Sequence, residues 1–225
     1  MTDLNALTQA NAARWAVAKL TRDFTSVGKA LLAAKPRYQA VEAKTGVPWF
    51  VIAGLHQRES DADFTTYLGN GEPLNRVTHL VPKGRGPFAT WEAGAIDALA
   101  LDGLNQVKEW TPARACYETE KFNGFGYRRR GIWSPYLWSF SNHYSRGKYV
   151  ADGQFSADAV DQQCGAIPVM KRLMQLDGQK LEPMPQPTPP APKPQPKPPV
   201  QPVPQQPKSW LQILLETLLS IFKRK

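Results

Sequence analysis

Residues 48–60 read Pro48-Trp49-Phe50-Val51-Ile52-Ala53-Gly54-Leu55-His56-Gln57-Arg58-Glu59-Ser60. The stretch follows a Thr45-Gly46 break. Proline suits the first turn of a helix, because its missing N–H has no intrahelical partner there and its φ is preset. From Trp49 through Leu55 the side chains are almost wholly apolar, which predicts a buried helix over Pro48 to Arg58. The end of that helix delivers His56, Arg58 and Glu59 abruptly. A carboxyl group in an apolar, partly desolvated setting has a raised pKa and holds its proton near neutral pH, as an acid that protonates a glycosidic oxygen must. An exposed helix-terminal glutamate paired with Arg58 is the competing reading of the same position.

Working outward, residues 5–45 read as helical. Ala6 to Phe24 and Val27 to Ala34 place Leu, Val and Trp at helical spacing. Residues 61–87 contain many glycines and prolines and little helical periodicity, so they read as a small hairpin or loop region. A helix is expected from Thr90 to Leu101, with short helical pieces over 105–120 and 135–146. The segment Asp158 to Leu176 closes the domain as a helix, with Val160, Cys164, Ile167, Met170 and Leu173 on one face. There are no internal repeats. The fold class expected is mainly α (α+β), with a small β-hairpin element.

Composition divides the chain. Of its 225 residues 21 are proline, and 13 of these fall between Pro183 and Pro207, so everything before that stretch has ordinary globular usage. One folded domain over 1–180 and a tail follow from this. The formal net charge is +9, and residues 181–225 account for +4 of it with six Lys/Arg against two acidic residues. A basic balance speeds encounter with polyanions, which include nucleic acid, anionic lipid, lipopolysaccharide and the acidic cell wall. The basic residues are scattered and form no recognisable nucleic-acid module, so no nucleic-acid partner is expected. Arg128-Arg129-Arg130 reads as a solvated basic turn.

Cys116 and Cys164 lie far apart in sequence without a Cys-x-x-Cys pair, so they read as two buried thiols, or alternatively as one disulfide formed after export. His56, His79 and His143 have no metal-ligand spacing, and neither metal nor cofactor is expected. The N-terminal residues have no basic segment followed by an apolar core, so no secretory signal is expected.

Arg58-Glu59-Ser60 at the end of an apolar helix resembles the catalytic segment of the lysozyme superfamily, goose-type lysozymes included. The longer string Glu59-Ser60-x-x-x-Phe64, then Leu68-Gly69-Asn70-Gly71-Glu72-Pro73-Leu74 and Thr78-x-x-Val81-Pro82-x-Gly84-Arg85, is similar to a group of phage and prophage endolysins. The similarity resumes at Phe88-x-x-Trp91-x-x-Gly94-Ala95-x-Asp97-Ala98-Leu99. It returns in Phe122-Asn123-Gly124-x-Gly126-Tyr127 and Ser134-Pro135-Tyr136-Leu137-Trp138-Ser139. It covers about residues 45–150.

The resemblance implies a lysozyme-like domain that hydrolyses the β-1,4 bond of peptidoglycan glycan strands, with Glu59 as general acid. Many phage lysozymes of that superfamily add an aspartate and a threonine six residues apart. Glu72 and Thr78 have that spacing, and the resemblance gives them the task of holding the attacking water. The second carboxylate here is Glu rather than Asp, and the stretch separating it from Glu59 is longer than in the commonest phage enzymes. Asp61 and Asp63, nearer to Glu59, are further candidate bases.

Amides bond sugar hydroxyls and aromatic faces stack on sugar rings, so Ser60, Tyr67, Asn70, Asn123, Tyr127 and Trp138 are the expected substrate-binding residues, with Tyr136 and Tyr144 next in line. Two rivals stand beside hydrolysis. One is a lytic transglycosylase using Glu59 alone, and the other a non-enzymatic membrane-active wall-binding protein. A chitin-cleaving enzyme would share the glycan backbone.

The tail has two expected parts. Residues 181–208 form a proline-rich extended linker whose polyproline stretch reaches on the order of 75 Å at ~3.1 Å per residue. Over 209–225, Ser209 caps an amphipathic helix from Trp210 to Phe222 that ends in Lys223-Arg224-Lys225. Its apolar run is about 20 Å long, short of the ~30 Å hydrocarbon core, so it is expected to lie on an anionic membrane surface. A monomer made in a host cytoplasm and acting in the periplasm or cell wall completes the expectation.

Overall fold

The computed structural model describes residues 4–181. Nine α-helices are present among them: α1 Leu4–Val17, α2 Thr25–Ala33, α3 Lys35–Thr45, α4 Trp49–Ser60, α5 Trp91–Leu101, α6 Pro112–Asn123, α7 Gly126–Arg129, α8 Pro135–Trp138 and α9 Ala166–Asp177. The strands β1 (Lys148–Ala151) and β2 (Gln154–Ser156) form an antiparallel two-stranded sheet. The described chain is therefore mainly α with a small β element. The linker and the terminal helix expected beyond residue 181 lie outside the described residues. No helix among the described residues is long and apolar enough to cross a membrane.

Helix α4 is the axis of the packing. Every residue from Trp49 to Gln57 is buried, and the helix packs against α3, α6 and α9. This is why its sequence lacks a polar face. The surrounding helices begin and end on local signals. Thr90 accepts the N–H of Ala93 to cap α5, and Thr111 accepts that of Arg114 to cap α6, whose first residue is Pro112. Asp23 accepts both the N–H and the hydroxyl of Thr25, at 3.0 and 2.6 Å, where α2 starts.

Four expectations need correction. The sheet does not form in residues 61–87, where an isolated bridge pairs Thr66 with Pro73. It forms at 148–156, where Asp152-Gly153 turns the chain with Gly153 at φ 68°. Asp-Gly is a hairpin signal, because its glycine takes left-handed backbone at no steric cost.

The first helix stops at Val17 rather than Phe24. The chain beyond it is drawn to residues 138–142, with Leu20 bridging Ser141 and Thr21 donating to the carbonyl of Phe140.

The closing helix starts at Ala166 rather than Asp158. Cys164, Ile167, Met170 and Leu173 are buried as expected, but Val160 is exposed. Helix geometry would have consumed the backbone carbonyls of 158–165. Two of them instead accept hydrogen bonds from Arg58, at Gln163 (3.1 Å) and Cys164 (3.4 Å). The helical piece expected over 135–146 is likewise only the single turn α8.

Where this extended segment meets α8, Gly165 lies against the backbone of Leu137 to Ser139. A Cβ added at 165 would be 2.5 Å from the carbonyl oxygen of Leu137 and 2.8 Å from the nitrogen of Ser139. The N–H of Gly165 bonds the carbonyl of Ser139 at 2.8 Å. A glycine is therefore required at this crossing. Cys116 and Cys164 are both buried free thiols.

Candidate active site

The last turn of α4 distributes its polar side chains to different neighbours. His56 is fully buried, with its ring centroid 4.4 Å from that of Trp91. The carbonyl of Asp63 can only accept, so Nε2 of His56 donates to it at 3.1 Å, and Nδ1 accepts from the hydroxyl of Tyr38 at 3.0 Å. Burial pulls the imidazole pKa down to about 4, so the ring is neutral and structural at neutral pH. Gln57 donates to Asp61 at 2.7 Å. Asp61 and Ala62 then adopt left-handed backbone, at φ 52° and 59°, and end the helix by returning their N–H groups to the carbonyls of Gln57 and His56.

Arg58 is not paired with Glu59. Its guanidinium reaches Asp161 at 2.9 Å, where both side chains are nearly enclosed, and it lies 5.1 Å from the centre of the Tyr136 ring. Lys148 binds the other oxygen of Asp161 at 3.1 Å. Glu59 turns instead toward α8, where the hydroxyl of Tyr136 donates to its Oε1 at 2.6 Å. Its Oε2 has no hydrogen-bond partner among the described residues. Burial raises the pKa of Glu59, opposed by the Tyr136 hydrogen bond and the Arg58 charge, with a further upward push from the charge of Asp102. Burial and the neighbouring Glu59 charge hold Tyr136 well above the ordinary phenol value, so it remains a donor. The result is a carboxyl group whose hold on its proton is strengthened by burial, with one oxygen fixed and the other free. Such a group can donate a proton to a leaving oxygen.

The loop after α4 packs on its end. Gly71, at φ 74°, sits over the Glu59 backbone, and a Cβ there would be 3.6 Å from the Glu59 carbonyl oxygen. Beside it, Glu72 accepts the N–H of His79 at 2.9 Å, the N–H of Leu80 at 2.7 Å and the Asn70 amide at 3.1 Å. These donors bind the ionised form, the Leu80 N–H most strongly, and lower the pKa of Glu72. Thr78 is buried in the same loop. Its hydroxyl donates to the carbonyl of Pro82 at 2.7 Å and accepts the N–H of Arg85 at 3.0 Å. Glu72, Asn70 and Thr78 are thus brought together, and their polar atoms organise residues 70–85.

Among the residues expected to bind substrate, Tyr67 and Trp138 require correction. Tyr67 is fully enclosed, stacked on Phe88 with centroids 5.1 Å apart, and its hydroxyl donates to Asp97 at 2.8 Å. Trp138 is 2 % exposed and meets His143 edge-on at 5.0 Å. Neither ring offers a face to a sugar. Asn123 is exposed at the end of α6. Half-buried Tyr127 accepts the N–H of Tyr149 at 3.0 Å, which ties α7 to the hairpin. The hydroxyl of Ser60 is buried beside Glu59 with no hydrogen-bond partner among the described residues.

The other candidate bases are also engaged. Asp61 accepts from Gln57 and Gln163, and Asp63 from the N–H and hydroxyl of Thr65. Sequence reasoning noticed Tyr136 only as a candidate aromatic and missed it as the hydrogen-bond partner of Glu59. No family model matches the chain, and no curated protein or solved structure matches it either.

Proposed function

We propose that this chain is a phage-type muramidase with a lysozyme-like domain, cutting the β-1,4 glycosidic bond of peptidoglycan with Glu59 as general acid. The observation that carries the reading is the state of Glu59. It stands at the end of a buried apolar helix, its neighbour Arg58 is committed elsewhere, and burial raises the pKa of its carboxyl while Tyr136 fixes one oxygen. In the reaction, the free oxygen of Glu59 gives its proton to the glycosidic oxygen as the bond to the anomeric carbon breaks, so the leaving sugar departs as an alcohol. Water completes hydrolysis. On this reading the substrate is the glycan strand, and residues 209–225 supply an anionic-membrane contact during lysis.

One observation favours the rival transglycosylase reading, which needs no second carboxylate. The oxygens of Glu72 and the hydroxyl of Thr78 are spent within their own loop. Product chemistry separates the two. Full-length protein and its Glu59→Gln variant are compared on outer-membrane-stripped Gram-negative walls, following turbidity and the mass of released fragments. Clearing by the parent alone, with reducing-end muramic acid, is the expected result. Anhydro-muramic products would move the assignment to transglycosylase. Equal clearing by both proteins, or by neither, removes the catalytic claim.

A further inference from the structure

We propose that the loop tip from Val77 to Lys83 docks on an anionic lipid surface, a contact made by the folded domain and separate from residues 209–225. Val77, Leu80 and Val81 are 43 %, 60 % and 80 % exposed, all within one short stretch of chain. Single exposed apolar residues are ordinary on a protein surface, but three on one loop tip form an apolar patch of the kind that meets a partner or a membrane.

The backbone beneath these side chains is already satisfied from within. A polar group carried into the headgroup and acyl boundary loses water, and it costs free energy there unless it is paired. Glu72 takes the N–H groups of His79 and Leu80, at 2.9 and 2.7 Å. The Asn70 amide donates to the carbonyls of Leu80, at 3.3 Å, and Pro82, at 3.5 Å, and the latter also accepts the Thr78 hydroxyl. The N–H of Thr78 bonds the carbonyl of Arg85 at 2.9 Å, and the carbonyl of Thr78 accepts the N–H of Gly84 at 3.0 Å. Pro82 has no N–H to satisfy. The same bonds fix the shape of the tip, so docking orders little that is not ordered already.

Charge selects the partner. Residues 72–85 carry Arg76, Lys83 and Arg85 against a single acid, Glu72. Glu72 is engaged by its N–H donors, and Arg85 is paired with Asp97. Arg76 and Lys83 flank the apolar residues, are exposed, and enter no ion pair among the described residues. Aliphatic side chains between free cations suit an anionic bilayer, where the chains enter the acyl boundary and the cations meet the headgroups. A glycan is gripped by amides and aromatic faces, whereas the exposed apolar groups here are all aliphatic.

The test places a polarity-sensitive fluorophore on Val81→Cys in the full-length protein. Cys116 and Cys164 are buried, so the label is confined to position 81. With vesicles of phosphatidylglycerol and phosphatidylcholine, the emission is expected to shift to the blue and to be quenched roughly twofold by nitroxide-bearing lipid. Arg76→Glu combined with Lys83→Glu is expected to abolish both changes. Unlabelled protein carrying Leu80→Ser and Val81→Ser, at an unchanged melting temperature, is expected to need at least threefold more vesicle for half-maximal binding. A label that stays in water while the protein sediments with the vesicles leaves binding to residues 209–225 and overturns the proposal. Parental affinity in the double serine variant, or no vesicle binding at all, overturns it equally. A blue shift on lipid-free cell walls that vesicles do not produce would make the tip a glycan contact instead. None of these readouts depends on bond cleavage, so they stand apart from the role proposed for Glu59.

Discussion

The hydroxyl of Tyr136 lies 2.6 Å from Oε1 of Glu59, joining residues 77 positions apart in the chain. The bond stabilises the ionised carboxylate, so it opposes the burial that raises the pKa of Glu59. Tyr136→Phe removes the donor and leaves the ring. Glu59 then holds its proton to higher pH, and the high-pH loss of activity moves upward. The maximal rate falls roughly tenfold because the acid is no longer oriented. A pH–rate profile of the two proteins checks both effects, and superimposable profiles would deny Tyr136 this task.

Glu59 also leaves a mark on stability. Its folded pKa is raised, so between the unfolded and folded values the native state binds more protons than the unfolded chain, and stability declines as pH rises. Its favourable contribution is complete below the unfolded value and is lost as pH climbs through the folded one. Glu59→Gln lacks that titration. The variant is expected to be more stable than the parent at pH 8, with the advantage vanishing near pH 4. Urea unfolding at several pH values measures the difference. His56 runs the other way: it folds neutral with a pKa near 4, so both proteins lose stability as pH falls from 6.5 toward 4.

The pair Arg58–Asp161 is nearly enclosed, and Asp161 also holds Lys148. Asp161→Asn leaves the Arg58 cation without its counter-charge, at a cost of about 3–5 kcal/mol. Because Arg58 also bonds the carbonyls of Gln163 and Cys164, segment 158–165 is expected to loosen before the rest unfolds. Hydrogen exchange over those residues in the variant, against the parent, gives the answer.

Thr78→Val deletes the hydroxyl that serves the Pro82 carbonyl and the Arg85 N–H. Leaving these groups unpaired costs about 1–3 kcal/mol. If the side chain acts only by shaping the loop, Thr78→Ser keeps both bonds and restores stability and activity together. Activity that stays low in a fully stable Thr78→Ser would instead point to direct contact with substrate or water.

The buried helix and the acid at its end were legible because apolar residues run without interruption from Trp49 to Leu55 and stop at a polar boundary. The apolar positions of α9 from Cys164 onward were legible for the same reason. The segment 158–165 was not, since its extended course depends on Arg58 reaching it from a hundred residues away. Tyr67 and Trp138 show a second limit. An aromatic residue that lines a cleft and one that fills a core are written alike, and only the surrounding structure separates them.

The crossing at Gly165 bears on Glu59 through the turn α8. Tyr136 belongs to the same single helical turn whose backbone Gly165 touches, so a methyl group added at 165 would act as a wedge. It would displace the turn and carry the phenol away from its carboxyl. On the proposed function, a substitution there would reset the acidity of Glu59 through the turn that carries Tyr136, and it would register as an altered pH optimum before any loss of folded protein.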